Sequence, residues 1–126
     1  MQIHESAENY LERILMLSEE KGMVRSVDIA QELSVTKPSV SIAMKNLRED
    51  GYILMDKDSL ITLTDKGMAI ARNIYDRHKA LTAFLVRLGV DEATAREDAC
   101  KIEHDLSPES YQCLKKFMEQ QQSEKS

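Results

Sequence analysis

The stretch ACKIEHDL, residues 99–106, holds a thiol, a carboxylate and an imidazole within five positions: Cys100, Glu103 and His104. On a helix the three span an arc of about 100°, apart from the apolar stripe of Ala95, Ala99, Ile102 and Leu106. Donors of these types suit a divalent first-row ion such as Fe²⁺, Mn²⁺, Co²⁺ or Zn²⁺, the thiolate favouring the softer end of that series. Three donors on one arc do not close a coordination shell, so other segments must contribute. Asn9 and Glu12 stand three apart near the start of the chain, and His78 falls in register with Ile74 and Tyr75. Each residue taken singly has a plainer reading. His78 would serve as a hydrogen-bonded core histidine, Cys100 as a small buried hydrophobe, and Glu12 as a partner of Arg13, Arg77 or Lys101. Metal-assisted activation of water would be the enzymatic use of such a cluster. No HExxH, no glycine-rich phosphate loop and no nucleophile motif accompanies it, so an enzyme is not expected.

The elements that must position these residues read as helices. With 42% hydrophobic and 31% charged residues, 5% aromatics, no Trp and four Gly, the composition favours a mainly α fold over a sandwich or barrel. Residues 5–21 form a first amphipathic helix stopped by Gly22. Ser26 is a candidate N-cap for a short helix through VDIAQELSV, with Asp28 favourable in its first turn. Thr36 caps a third helix from Lys37 to Glu49, with Pro38 in the first turn and Val40, Ala43, Met44 and Leu47 facing inward. YILM and LITLT, joined by DKDS, read as a β-hairpin. Thr64 or Asp65 starts a longer helix to about Lys79, and the apolar ALTAFLVRLG follows and calls for a partner surface. Asp91 caps a helix running through EATAREDACKIEHDL. Ser107-Pro108-Glu109 begins the last helix, and a polar QQQSEKS tail is expected to fray. Met23, Met44, Met55, Met68 and Met118 are expected to fill the core.

Short helix, turn, second helix and hairpin make a winged helix-turn-helix, in which the second helix enters the DNA major groove. Its outward positions, Lys37, Ser39, Ser41, Ile42, Lys45 and Arg48, combine hydroxyls for base edges with cations for phosphate. The net charge of −5 argues against a nucleic-acid partner, but the charge is uneven. Residues 1–24 hold 5 acids and 2 bases, residues 25–79 hold 8 and 9, and residues 80–126 hold 9 and 6. Only the middle meets phosphate without strong repulsion, and a dimer would double its contacts. A protein-interaction module of the same shape remains the alternative. Cys100 and Cys113 read as free thiols, or one as a ligand, in a reducing compartment. No apolar run approaches a membrane span and MQIHESAENY lacks the features of a signal peptide, so a cytoplasmic protein with no membrane partner is expected.

Four stretches together resemble a known family: ENYLERILMLSEEKG, VRSVDIAQELSVTKPSVSIAMKNLREDGYI, LTDKGMAIARNIYDRHKALTAFL and IEHDLS. Over residues 5 to about 118 the chain looks like the metal-dependent repressors related to the diphtheria toxin repressor, and most of all the short two-domain manganese transport regulators. The resemblance implies a winged helix-turn-helix DNA-binding domain over residues 1–72 and a helical metal-binding and dimerisation domain over 73–126, without an SH3-like third domain. It implies a homodimer that binds a palindromic double-stranded operator through Thr36, Lys37, Pro38, Ser39, Ser41, Lys45, Arg48 and Lys57. Dimer contacts are expected from Leu81, Phe84, Leu85 and Leu88. Carried over by position, the family's metal ligands fall on Asn9, Glu12, His78, Cys100, Glu103 and His104. Asn9 stands where the manganese regulators have Asp, and Cys100 where they have Glu. A Cys there is similar to the iron-responsive branch, but that branch has Met at the first-helix position and a Glu four residues after the His, where this chain has Thr82. The implied function is repression of metal-uptake genes with Fe(II) or Mn(II) as corepressor, Zn(II) or Co(II) substituting in vitro. One high-affinity ion is expected, because two carboxylates are lost.

Overall fold

In the computed structural model the described residues are 5–125, with side chains described for 6–121. They form six helices and one hairpin: α1 (Glu5–Lys21), α2 (Ser26–Leu33), α3 (Lys37–Glu49), β1 (Ile53–Met55), β2 (Ile61–Leu63), α4 (Asp65–Arg87), α5 (Glu92–Ile102) and α6 (Pro108–Lys125). The chain divides into two compact units, Met1–Asn73 and Ile74–Ser126, and the division falls inside α4.

The first unit is a winged helix-turn-helix. Its core is Leu11, Ile14, Leu15 and Leu17 of α1, Ile29 and Ala30 of α2, Val40, Met44 and Leu47 of α3, and Ile53 and Ile61 of the hairpin. The spacing of Val40, Met44 and Leu47 gives α3 one apolar stripe and leaves the rest of its surface to solvent. Thr36 caps α3 as expected, its hydroxyl accepting from the Ser39 N–H at 3.3 Å. At α2 the expectation is corrected. The N-cap is Arg25, not Ser26, and Arg25 N–H donates to the Asp28 carboxylate at 2.9 Å. The acid three residues into the helix thus satisfies the cap's backbone, which is half of a capping box. The strands pair antiparallel with Ile53 opposite Leu63 and Met55 opposite Ile61. Asp56 Oδ1 closes the turn by accepting from the N–H groups of Asp58 and Leu60.

Gly67 carries a constraint that the sequence pattern does not announce. A Cβ there would lie 2.0 Å from the Tyr52 carbonyl oxygen, so the first turn of α4 crosses the chain just before β1 with no room for a side chain. Thr64 holds this junction, donating to the Gly51 carbonyl and accepting from the Gly67 N–H.

In the second unit Ile74, Leu81, Ala95, Ala99, Tyr111 and Met118 are buried. The helix expected to end near Lys79 runs unbroken to Arg87, because no Gly or Pro interrupts the chain from Ala80 to Leu88 before Gly89. There the Val90 N–H bonds to Leu85 O and the Gly89 N–H to Val86 O, with Gly89 at φ +106. This is a Schellman stop, which needs the left-handed conformation that glycine adopts without penalty. The last helix, α6, continues through Lys125, so most of the polar QQQSEKS stretch is helical, while Ser126 lies outside the described residues. Of the methionines expected in the core, Met44 and Met118 are buried, but Met23, in the loop after α1, is 61% exposed. Gly67→Ala should destabilise the chain by roughly 1–3 kcal/mol or more through backbone overlap, read as a lower urea midpoint. An unchanged midpoint would contradict the close approach.

Candidate metal centre

His78 lies on α4, Cys100 on the last turn of α5, and Glu103 is the C-cap of α5. The local sequence sets these positions. Asp91 starts α5 by accepting from the Ala93 N–H at 3.2 Å, and Ala95 and Ala99, both fully buried, fix the face that α5 turns inward. The helix ends earlier than its pattern suggested. Glu103 caps it, and residues 103–105 form a turn before Ser107 and Pro108 open α6, so His104 is not on the same helix as Cys100. Pro108 disfavours helical backbone at the residue before it, which places the break in this short connection.

The donor atoms of His78, Cys100 and Glu103 all lie within 4.8 Å of one another. His78 Nδ1 is 3.0 Å from Glu103 Oε2 and 3.7 Å from Cys100 Sγ. The Glu103 side chain has no exposed surface and that of His78 is 14% exposed. The other carboxylate oxygen, Oε1, lies 3.5 Å from His104 Nε2 and has no hydrogen bond. Glu103 therefore stands between two imidazoles, and His104 borders the three-residue cluster rather than entering it. Around a single first-row ion, with bonds of about 2.0–2.3 Å, neighbouring donors stand about 3–4 Å apart. The separations at His78 Nδ1 match that spacing, and a buried carboxylate oxygen without a hydrogen bond is a site of unmet demand for positive charge. These residues fit a divalent ion.

Asn9 and Glu12 sit on α1 in the first unit, Asn9 half-buried and Glu12 3% exposed. The residues expected at DNA are exposed: Thr36, Lys37, Pro38, Ser39, Ser41, Lys45 and Arg48 at the start and outer face of α3, and Lys57 in the hairpin turn. Ser41, Lys45 and Arg48 also line a cavity of about 140 Å³ with Ser26, Met44 and Met55. Of the residues expected at a dimer contact, Leu88 is 66% exposed and Phe84 and Leu85 are half-buried, whereas Leu81 is 3% exposed and offers no surface. Two residues that sequence reasoning passed over bear on the centre. One is Arg77, considered only as a partner of Glu12, and the other is Tyr111; nothing in their spacing marks either as part of a site.

Known proteins give the chain a family. Residues 2–60 match the iron dependent repressor N-terminal DNA binding domain, and residues 64–124 the iron dependent repressor metal binding and dimerisation domain. The chain belongs to the iron-dependent repressor family. An uncharacterised HTH-type transcriptional regulator of Methanocaldococcus jannaschii is 43% identical over 117 residues, covering 91% of this chain and 94% of that protein. The HTH-type transcriptional regulator MntR of Bacillus subtilis is 42% identical over 102 residues, covering 81% of this chain and 72% of that protein. Among solved structures, that of the manganese regulator SloR superposes with a TM-score of 0.79 at 32% identity, covering 94% of this chain. This family member spans about half of the solved SloR chain, 55% of its length. Among the described residues no helix is long and apolar enough to cross a membrane.

The environment of His78 sets how the centre responds to pH. Hydrogen bonding to Cys100, and next to Glu103, raises His78 from 6.5 to about 10 against the opposing effect of burial. Its folded value lies above its unfolded one, so the stabilisation is fully present below about pH 6.5 and is lost as pH rises through about 10. The stability difference between the metal-free wild type and His78→Gln should therefore be largest at low pH and shrink toward pH 10 in urea titrations. A difference that grew with pH would refute this assignment. A ligating imidazole must be neutral and a ligating thiol deprotonated, so calorimetry at pH 7 in buffers of different ionisation enthalpy should detect proton release on ion binding, and His78→Gln should release about one proton fewer per ion.

Proposed function

We propose that this family member is a metal-dependent DNA-binding repressor of metal-uptake genes, with Fe(II) or Mn(II) as corepressor and a cytoplasmic site of action. The observation that carries the reading is the convergence of His78, Cys100 and Glu103 within 4.8 Å, in a chain that also presents an exposed recognition helix. His104 and, by resemblance, Glu12 and Asn9 complete the proposed donor set. Residues 1–72 are the proposed DNA-binding domain and 73–126 the metal-binding and dimerisation domain.

A bound divalent ion supplies positive charge and directional bonds to these donors. The residues do the rest. His78 gives up its Nδ1 proton, Glu103 offers a carboxylate already stripped of water, and Cys100 contributes a thiolate that biases the set toward the softer ions. On the DNA side Lys37, Lys45, Arg48 and Lys57 meet phosphates, while Ser39 and Ser41 reach base edges from the N-terminal half of α3. In a dimer the two recognition helices must stand about one helical repeat of DNA apart, roughly 34–36 Å, to read a palindrome. Were His78, Cys100, Glu103 and His104 to hold an ion, the population would shift toward arrangements with that spacing. None of these roles requires turnover of a substrate, and we assign no enzymatic activity.

The test is fluorescence anisotropy of DNA carrying the protein's own promoter, and of operators from metal-transport genes. It is run anaerobically with chelator-stripped protein plus Fe²⁺, Mn²⁺ or no metal. Metal should increase affinity at least about tenfold, a coupling of about 1.4 kcal/mol, and His104→Ala should abolish the gain. Binding that ignored metal would overturn the sensor, and no binding in any condition would overturn the DNA-binding role. In the same assay Cys100→Glu should move the preference from Fe²⁺ toward Mn²⁺. An unchanged preference would remove the thiolate from the argument.

A further inference from the structure

We infer that Arg77 is a positioning residue for the metal centre, holding the backbone of Glu103 and the turn that carries His104 at the distance His78 requires. The inference rests on the reading of His78, Cys100 and Glu103 as metal donors. Arg77 is 8% exposed and adjoins His78 on α4. Its Nη1 donates to two backbone carbonyls, that of Glu103 at 3.2 Å and that of Leu106 at 2.6 Å. Its guanidinium carbon lies 5.2 Å from the centre of the Tyr111 ring on α6. One side chain thereby ties α4 to the end of α5, to the turn after it and to the next helix.

The chemistry suits the position. The last carbonyls of a helix have no partner within it and carry partial negative charge, so a cation there is favourable. An arginine stays charged even when buried, and the two N–H groups of its Nη1 can meet two acceptors while the planar face rests on an aromatic ring. Consecutive residues on α4 then divide the work: His78 meets the Glu103 side chain through Oε2, and Arg77 meets the Glu103 main chain through its oxygen. With the main chain held, the Glu103 carboxylate has few ways to turn from the cluster.

Two other roles for Arg77 give different signs. If it acted only as a nearby charge, its removal would strengthen binding of a dication and Arg77→Lys would change nothing. If it only supported the fold, its loss would lower the melting temperature without altering the coordination of protein that remained folded. A positioning role predicts that both Arg77→Met and Arg77→Lys weaken Co²⁺ binding, by roughly 10- to 100-fold. It further predicts that the visible ligand-field bands of Co²⁺ and its near-ultraviolet thiolate charge-transfer band change shape in folded protein.

The experiment titrates the full chain and both variants anaerobically with Co²⁺ at a temperature where circular dichroism shows each to be folded. Wild type without a thiolate charge-transfer band would overturn the metal-site reading itself. A normal wild-type spectrum with variants that match it in shape and affinity would overturn the role of Arg77 alone, and so would tighter binding by Arg77→Met. Should neither variant fold, the wild type supplies the reading through its guanidinium protons. These should exchange slowly with solvent in the metal-free chain and stay protected on Co²⁺ loading, and fast exchange would overturn the inference.

Discussion

Glu103 has no exposed surface, and burying a carboxylate costs several kcal/mol unless charge and hydrogen bonds answer it. Much of the second unit's arrangement follows from that constraint. The carboxylate comes from the C-cap of α5, just past a helix that has turned its alanine face inward. His78 answers one oxygen and His104 stands at the other. The histidine that answers is itself altered, its raised proton affinity being the counterpart of the acid and thiol beside it. A site of this kind is paired with a proton when no ion is bound, and proton and ion compete for the same donors.

The same constraint explains a division of labour among neighbours. On α4 successive side chains point about 100° apart, yet Arg77 and His78 both reach Glu103, one at the main chain and one at the side chain. The α5–α6 connection makes this possible by bending back immediately after the cap, so that the Glu103 and Leu106 carbonyls face one guanidinium. A longer α5 would carry these carbonyls into helical hydrogen bonds and leave Arg77 buried without acceptors. The early stop of α5 is therefore part of how the centre is built.

Much of this was legible in the sequence. The periodicity of α1 and α3, the caps at Thr36 and Asp91 and the hairpin around DKDS rest on local chemistry that a one-dimensional reading captures, and the structure carries each of them. The donor types were legible too, since the spacing of Cys100 and Glu103 survives in the fold. What was not legible depends on contacts between distant segments. The clearance at Gly67 is set by the Tyr52 carbonyl, and the partners of Arg77 lie 26 and 29 residues away. The end of α5 was misjudged because IEHDL continues a helical pattern, whereas the helix stops at Ile102 with the buried Glu103 as its C-cap. Leu81 looked like interface because the apolar run around it is continuous, but a helix buries one side of such a run and exposes the other.

The donor set also bears on how many ions the chain holds. Two dications at about 4 Å repel by roughly 16 kcal/mol at an effective dielectric near 20, four times the figure for unit charges. Such a pair persists only where bridging and flanking carboxylates neutralise it. In the proposed set the negative groups are Glu12, Glu103 and the thiolate of Cys100, while Asn9 contributes a neutral amide. Three negative charges leave two dications with a net positive charge in a site whose acid is wholly buried, but they more than balance one. Against the carboxylates that the family resemblance implies at both positions, Asn at residue 9 and Cys at residue 100 each act in one direction. The first removes charge, and the second keeps charge but gives up the two oxygens with which a carboxylate bridges ions. Both favour a single ion held by a mixed nitrogen, oxygen and sulfur set.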